Sequence, residues 1–495
     1  MKRVTLCLLS LFFFAFAGVG MLRANTHTEP LPPTDIGVPA ECEDVMLQCF
    51  YWDSYKPDNG TDSKYGCTKW AMLLKDTAAI TENFDLVWFP PSASGGGVGY
   101  THRQLSNQNS DWGQKTSLVK LIDALHRGNT KVLADIVINH RGNKSNWCDF
   151  EEDDFGSYGK FQLLQTHICK GDECFTKEES TCYAVTKEYR GNSDTGDNFD
   201  GARDLDHTSE YVQNWAKAYV RWMLDVMKYD GFRYDMTLGF HGQYLFMYNM
   251  EANPYLSVSE LWSGIDRQKQ HLEETNYNTM VFDFQQKYEL HKAIVKNNYS
   301  LLKKNSNSFR GQGLERYAVT FIDNHDTFER DGYGDNQFGG QYCDLSKSTV
   351  KSQVLQAYAY ILMMPGVPCV FWPHWNRYTW EINQLIKIRK LAGIHSESKV
   401  TDETSGESAY SATIEGHNHK VILRLGKNRD KTVPAGYYVH AEGDAYSVFM
   451  EGVQRIDVVE SGKSKVTSGE KFMENGKLYI RSNGKVYDAQ GTRLN

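Results

Sequence analysis

Apolar positions recur along this chain in two alternating textures. Unbroken runs such as VMLQCFYW (Val45–Trp52), FDLVWFPP (Phe84–Pro91) and KVLADIVI (Lys131–Ile138) read as buried strands, the second stopped by Pro90 and Pro91. Between them the spacing turns helical. Trp70, Leu73, Leu74 and Thr77 share one face, and Leu118, Leu121, Ile122 and Leu125 another, with Gly128 where a helix should end. Trp215, Tyr219, Trp222 and Val226 repeat the helical period before Gly231, and Phe232–Met236 follows as a strand. PYLSVSE (Pro254–Glu260), TMVFDF (Thr279–Phe284), YAVTFI (Tyr317–Ile322) and GVPCVFW (Gly366–Trp372) bring the strand-like runs to eight, and a helix over Trp380–Leu391 closes the series. Eight alternating units predict an α/β fold, a (β/α)8 TIM barrel.

Two interruptions set the domain plan. A polar, Gly- and Asp-rich stretch (141–203) follows the third strand and is too long for an ordinary connection, so it predicts an inserted, loop-rich domain. The barrel is then expected over 42–140 and 204–395. Beyond His395 the pattern shortens to YSATI, KVILRL, GYYVHA and YSVFME, which predicts a C-terminal antiparallel β domain over 396–453. The tail, 454–495, carries the hairpin-like KLYIRSNG and KVYDAQG and resembles the C-terminal hairpin modules of exported bacterial proteins, a resemblance that implies an export or sorting module among its open roles. At the other end, Lys2 and Arg3 precede an apolar run from Val4 to Leu22, with Ala24 as a cleavage residue. Residues 1–24 therefore read as a signal peptide, and the protein as secreted, whether extracellular, periplasmic or cell-surface. No other stretch is long and apolar enough to span a bilayer.

Composition changes the picture in two places. The net charge of −8 argues against nucleic acid as the main partner. Of the 10 cysteines, Cys7 lies in the leader, so an odd number remains and at least one thiol stays unpaired within a monomer. Cys148, Cys169, Cys174 and Cys182 cluster in the insert and predict one or two disulfides there; without a CxxC pair, zinc is the weaker reading.

In a barrel of this kind, function sits at the carboxyl ends of the strands. The third strand ends in Asp135, Asn139 and His140, the fourth in Arg233 and Asp235, the fifth in Glu260, and the seventh in His325 and Asp326. Alternation puts Arg233 and Asp235 on one face, where a guanidinium keeps a carboxylate ionised. Alone, such a pair is more often structural. Surface acids capping nearby helices explain any one of these groups but not their convergence on one mouth. A charged carboxylate paired with a protonated one is what retaining glycoside hydrolysis needs.

The runs LADIVINHR (Leu133–Arg141), GFRYD (Gly231–Asp235), SVSELW (Ser257–Trp262) and FIDNHDT (Phe321–Thr327) resemble, in order, the four signature regions of the α-amylase family of glycoside hydrolases. GARDLDH (Gly201–His207) resembles the calcium-linked motif of that family's inserted domain. The likeness runs from Val45 to Met450, takes in details such as GIHSESKV after Ala392, and is nearest to plant-type α-amylases.

The resemblance implies Asp235 as nucleophile, Glu260 as general acid and then base, and Asp326 as the carboxylate that grips sugar hydroxyls. Arg233 would hold the nucleophile ionised, His140 and His325 would donate hydrogen bonds to the sugar, and Tyr100 would be its aromatic platform; Trp262 joins these substrate-binding residues. Asn139, Asp194 and Asp204, with the carbonyls of Asp197 and Gly239, would hold a structural Ca2+. The nucleophile and acid carboxyls should lie roughly 5–5.5 Å apart. These residues describe a secreted, calcium-binding, monomeric, retaining endo-α-1,4-glucanase acting on starch or related glucans. The alternatives are an α-glucosidase or transglycosylase of the same clan, or a catalytically weakened glucan-binding protein. One departure stands out: the family pattern has Lys three residues after the nucleophile, where this chain has Leu238.

Overall fold

The computed structural model describes residues 35–56, 66–183, 187–302, 307–328 and 351–453, together with the backbone of short strands between 470 and 494. The expected signal peptide lies outside the described residues. The eight predicted runs all supply strands: β1 (Met46–Gln48), β2 (Leu86–Trp88), β3 (Lys131–Ile136), β4 (Gly231–Tyr234), β5 (Ser257–Ser259), β6 (Met280–Phe282), β7 (Ala318–Phe321) and β8 (Val367–Phe371). They close into a parallel barrel in chain order, β8 pairing with β1 through Met46 and Cys369. Each strand is shorter than its apolar run, because the flanking residues leave the ladder to form the mouth.

Helices α1 (Trp70–Asn83), α2 (Lys115–Arg127) and α3 (Glu210–Asp225) fill the first crossovers. Leu118, Leu121, Ile122 and Leu125 of α2 are fully buried, as their spacing predicts. Gly128 does end α2, but for a packing reason. A Cβ there would lie 2.3 Å from Cγ2 of Thr81 on α1, while the left-handed turn is made by Asn129, at φ 63°. Trp215, Tyr219 and Trp222 of α3 are buried; Val226 is not. It lies beyond the last turn and is 45 % exposed, so the helical face ends at Trp222.

The insert leaves and re-enters the barrel through one clasp, in which His140–Arg141 pairs antiparallel with Arg203–Asp204. Buried cations fix it. Arg141 meets Asp153 Oδ2 at 2.9 Å and donates to the carbonyls of Arg103 and Glu151, and Arg203 donates to Glu173 Oε1 at 2.6 Å. Of its cysteines, Cys148 and Cys182 are joined in a disulfide, whereas Cys169 and Cys174 are buried free thiols.

Past α4 (Gly242–Ala252), α5 (Ile265–Glu274), α6 (Phe284–Lys296), α7 (Lys351–Met363), α8 (Trp372–Arg377) and α9 (Thr379–Ala392) comes an antiparallel sheet. Its strands are β9 (Lys399–Ser405), β10 (Tyr410–Glu415), β11 (Lys420–Leu425), β12 (Tyr437–Gly443) and β13 (Tyr446–Glu451), in the order β9-β10-β11-β13-β12. The alternating runs marked β10 to β13. They did not mark β9, an edge strand (KVTDETS) that is exposed or half-exposed throughout and so carries no apolar signal. The tail strands β14 (Glu470–Glu474), β15 (Lys477–Ser482), β16 (Lys485–Asp488) and β17 (Arg493–Leu494) pair as an antiparallel meander.

Candidate active site

Arg233 organises the barrel mouth. Its guanidinium is 1 % exposed, with Nη1 at 2.7 Å from both Asp135 Oδ1 and Asp235 Oδ1, and Nη2 at 3.1 Å from Glu260 Oε2. Asp135 is further held by the Trp88 indole N–H at 3.1 Å and the Tyr100 hydroxyl at 2.8 Å. The pairing of Arg233 with Asp235 is the one that alternation along β4 predicts. Its contact with Glu260 was not foreseen, and it makes one cation serve three acids.

The turn after β4 brings the acids together. Asp235 N–H donates to Ile136 O, Glu260 N–H to Tyr234 O and Thr237 N–H back to Glu260 O, so both loops are pinned. Met236 takes a left-handed φ of 45°, a conformation that costs a bulky residue free energy, and this aims its N–H at Glu260 Oε2, 2.9 Å away. The Asp235 and Glu260 carboxyls are hydrogen-bonded to each other. Both acids are drawn to the same guanidinium, Asp235 to Nη1 and Glu260 to Nη2.

Burial raises the pKa of every acid here, and neighbours then separate them. Asp235 is raised by burial and pulled down by Arg233 and by its hydrogen bond to Glu260. Glu260 is raised by burial and pulled down by Arg233, but the negative charge of Asp235 and their shared hydrogen bond push it up again. The neighbours therefore favour the proton on Glu260 and the charge on Asp235. Burial and then the charge of Glu260 drive Asp326 well up, and Asp135 is pushed up to about 7 by burial against the pull of Arg233.

Asp235, Glu260 and Asp326 open on a cleft of about 310 Å3, which Tyr100, His140, His325 and Trp262 also line. Tyr100 is anchored rather than loose, its hydroxyl 2.9 Å from His325 Nε2 and its ring stacked on His325 at 5.4 Å. His325 also meets Asp326 Oδ2 at 3.3 Å and Gln48 Nε2 at 3.0 Å. His140, kept neutral by burial that lowers its pKa to about 4, directs Nε2 at the Tyr100 carbonyl, 2.9 Å away. Trp262 donates its indole N–H to the Tyr288 hydroxyl at 2.6 Å and stacks on Phe284.

Two aromatic contacts of the site residues go beyond the sequence reading. Phe199, from the insert, stacks on His140 with centroids 3.9 Å apart and lines the cleft. Nothing in a polar loop marks which aromatic will reach the barrel. Trp52 touches Tyr100 and His325, at 5.3 and 5.1 Å between centroids. It closes the first strand-like run, so the strand-end logic that found Asp235 applied to it equally.

Beside the cleft the proposed cation ligands converge. Asn139 Oδ1, Asp194 Oδ2 and both carboxylate oxygens of Asp204 are buried without a hydrogen-bond partner. A Cβ on Gly239 would fall 2.0 Å from Asn139 Oδ1, and Asp197 N–H donates to Leu238 O at 2.9 Å, so the two expected carbonyl-bearing segments meet here. Burial, and then Asp194, push Asp204 up to about 10, the mark of acids gathered with no positive charge among them. Orphaned oxygens from separate segments fit a hard dication such as Ca2+. The Cys169 thiol also lies within 4.8 Å of the Asp194 and Asp204 oxygens.

Barrel and acid pair together define a glycoside hydrolase. The family model "Alpha amylase, catalytic domain" matches residues 83–243, and "Alpha-amylase C-terminal beta-sheet domain" matches 391–450. A probable α-amylase 2 of Arabidopsis thaliana is 29 % identical over 429 residues, covering 81 % of this chain and 93 % of the relative. The chloroplastic α-amylase 3 of the same plant is 28 % identical over 461 residues, 88 % of this chain but 46 % of the relative, so the chain spans about half of that protein. An α-amylase type B isozyme of Hordeum vulgare is 36 % identical over 138 residues, 27 % of this chain and 78 % of the relative. Among solved structures, a cyclomaltodextrin glucanotransferase, CldA, shares the fold at TM-score 0.59 and 16 % identity, over 83 % of this chain and 99 % of that one. The chain belongs to the α-amylase family.

Proposed function

We propose that this protein is a secreted, calcium-binding α-amylase that cuts internal α-1,4 bonds of starch-like glucans with retention of configuration. The observation that carries the reading is the direct contact of Asp235 and Glu260 over Arg233, facing a cleft that Asp326 completes. In the first step an Asp235 oxygen attacks the anomeric carbon while Glu260 gives its proton to the departing glycosidic oxygen. The products are a covalent glycosyl-enzyme and a shortened chain. In the second, Glu260, now a base, deprotonates a water that attacks the same carbon, and Asp235 leaves as a carboxylate. Asp326 lines the same cleft and would hold sugar hydroxyls as positive charge develops on the ring.

Asn139, Asp194 and Asp204 would hold Ca2+, with the carbonyls of Asp197 and Gly239. Its chemistry is charge neutralisation that clamps the insert to the barrel. The names of the two Arabidopsis relatives, both α-amylases, support starch as substrate. Digestion of soluble starch should lower viscosity well before reducing ends accumulate, and NMR should show the α-anomer first. Reducing ends without early viscosity loss would indicate an end-trimming glucosidase, longer transfer products a transglycosylase, and a β-anomer would exclude retention. Amino-terminal sequencing of exported protein tests the leader, which should be absent from the mature chain.

A further inference from the structure

The run GIHSESKV has no part in the cleft. It leaves α9 at Gly393, whose φ of 69° turns the chain, and it knots three segments together. Ser396 N–H donates to Cys42 O at 2.8 Å, Cys42 N–H returns to Ser396 Oγ at 3.0 Å, and Glu41 N–H donates to Glu397 Oε2 at 2.7 Å. The hairpin between β10 and β11 is tied to the same place, with His417 N–H on Gly393 O at 2.9 Å and Asn418 N–H on Ala392 O at 3.0 Å. Gly416 permits that approach, since a Cβ would meet Ala392 O at 2.1 Å. Backbone hydrogen bonds thus hold Glu41, His395 and His417 in place from separate parts of the chain.

One ligand-capable atom from each of these residues lies within 4.8 Å of the others. His417 Nε2 is 3.6 Å from Glu41 Oε2, near the edge of a tetrahedron drawn with metal–ligand bonds of about 2.0–2.2 Å. On its other side, His417 Nδ1 lies 2.8 Å from Glu43 Oε1. A carboxylate there accepts a hydrogen bond from Nδ1–H and leaves the Nε2 lone pair on the side of Glu41, the arrangement that commonly orients metal-binding histidines. His395 is 6 % exposed and stacks on the His417 ring at 4.3 Å. Binding one ion through both rings requires that stack to open by rotation of the rings.

We propose that Glu41, His395 and His417 form a binding site for a transition-metal dication of the zinc class, separate from the cleft and from the Asn139–Asp204 oxygens. Imidazole nitrogens select such an ion over calcium. The ion would clip the leading segment, the end of the barrel and the C-terminal sheet together, raising stability rather than taking part in hydrolysis.

The test uses the full chain in excess CaCl2, so that the oxygen site is filled, with ZnCl2 titrated by calorimetry and thermal melting. The expected result is zinc binding at one ion per chain and a melting temperature that rises with zinc. His417→Ala and Glu41→Gln, both at surface positions, should each weaken that binding at least tenfold, and Glu43→Gln about tenfold by loosening the imidazole. Starch hydrolysis should be unchanged in all three variants. No zinc-dependent rise in melting temperature would overturn the proposal, leaving His417 as a surface ion pair with Glu41 and Glu43. Tight binding that persists in both His417→Ala and Glu41→Gln would also overturn it and direct attention to Cys169.

Discussion

Arg233→Lys isolates what one guanidinium does for the acids around it. Arg233 reaches Asp135 and Asp235 through Nη1 at 2.7 Å and Glu260 through Nη2 at 3.1 Å. An ammonium is a compact point charge and cannot span both ends of that fork, so at least one charge-assisted hydrogen bond is lost. Each is worth about 1.5–3 kcal/mol when made to a charged group, which corresponds to roughly 1–2 pKa units. The guanidinium lowers the pKa of both Asp235 and Glu260. Weakening it therefore raises both. The nucleophile is then ionised only at higher pH, and the acid keeps its proton to higher pH.

Both limbs of the profile of kcat/KM against pH should accordingly move upward, by roughly 1–2 units for the acid whose bond is lost. The assay is hydrolysis of a chromogenic maltooligosaccharide from pH 4 to 10, on protein whose melting curve shows it folded. A uniform fall in rate with both limbs unmoved would refute the electrostatic account and reduce Arg233 to a structural prop. A downward shift of the acidic limb would reverse its sign.

Other perturbations test the remaining parts. Asp235→Asn and Glu260→Gln should each stay folded and lose at least about a hundredfold in kcat, since each removes the nucleophilic charge or the transferable proton; retention of more than that would refute the roles. Chelation should lower the melting temperature, and Asp204→Asn should lower it without chelator and abolish the chelator's effect, because an ion bound only by the folded state stabilises it by mass action. His207, fully buried between the Tyr248 hydroxyl and the Ile138 carbonyl, has its pKa lowered from 6.5 to about 4. The unfolded chain binds that proton first as pH falls, so the stability it contributes is complete above pH 6.5 and is lost progressively down to about 4, on the order of 3 kcal/mol. His207→Gln should flatten unfolding free energy against pH across that window by one proton's worth of slope.

The barrel was legible because each strand is a mostly apolar, buried run bounded by a change of period. The acids were legible because strand ends in a barrel share one mouth. What the sequence withheld depends on where loops go. Phe199 reaches His140 only because the clasp at His140–Arg141 and Arg203–Asp204 folds the insert back over the barrel, and no local pattern encodes that path. Likewise, that Arg233 serves Glu260 as well as Asp235 follows from how β4 and β5 are staggered. The pairing of Cys148 with Cys182 was one possibility among several that spacing left open.

Leu238 was visible as a departure, and the structure places it on the cleft wall with Asp235, Glu260 and Asp326. Its side chain packs toward the apolar cluster of Leu261, Leu272 and Phe309, so it offers a sugar no hydrogen bond. His241, the nearby residue able to substitute as a donor, is engaged elsewhere. It caps α4 by accepting from Gln243 N–H at 3.2 Å, and its Nε2 lies 3.6 Å from Glu274. Binding on that side of the cleft is then expected to rest on long chains making distant contacts, which short oligosaccharides cannot do. Leu238→Lys adds a cation able to form charged hydrogen bonds of about 1.5–3 kcal/mol each. It should raise kcat/KM for maltotriose roughly tenfold or more, while polymer hydrolysis changes little. The new charge also stands near Glu260 and lowers its pKa, so the alkaline limb should move down, opposite to its movement in Arg233→Lys. A shifted limb with no gain on maltotriose would show that the lysine reaches the acid but not the sugar. The reading of Leu238 as the determinant of chain-length preference would then be wrong.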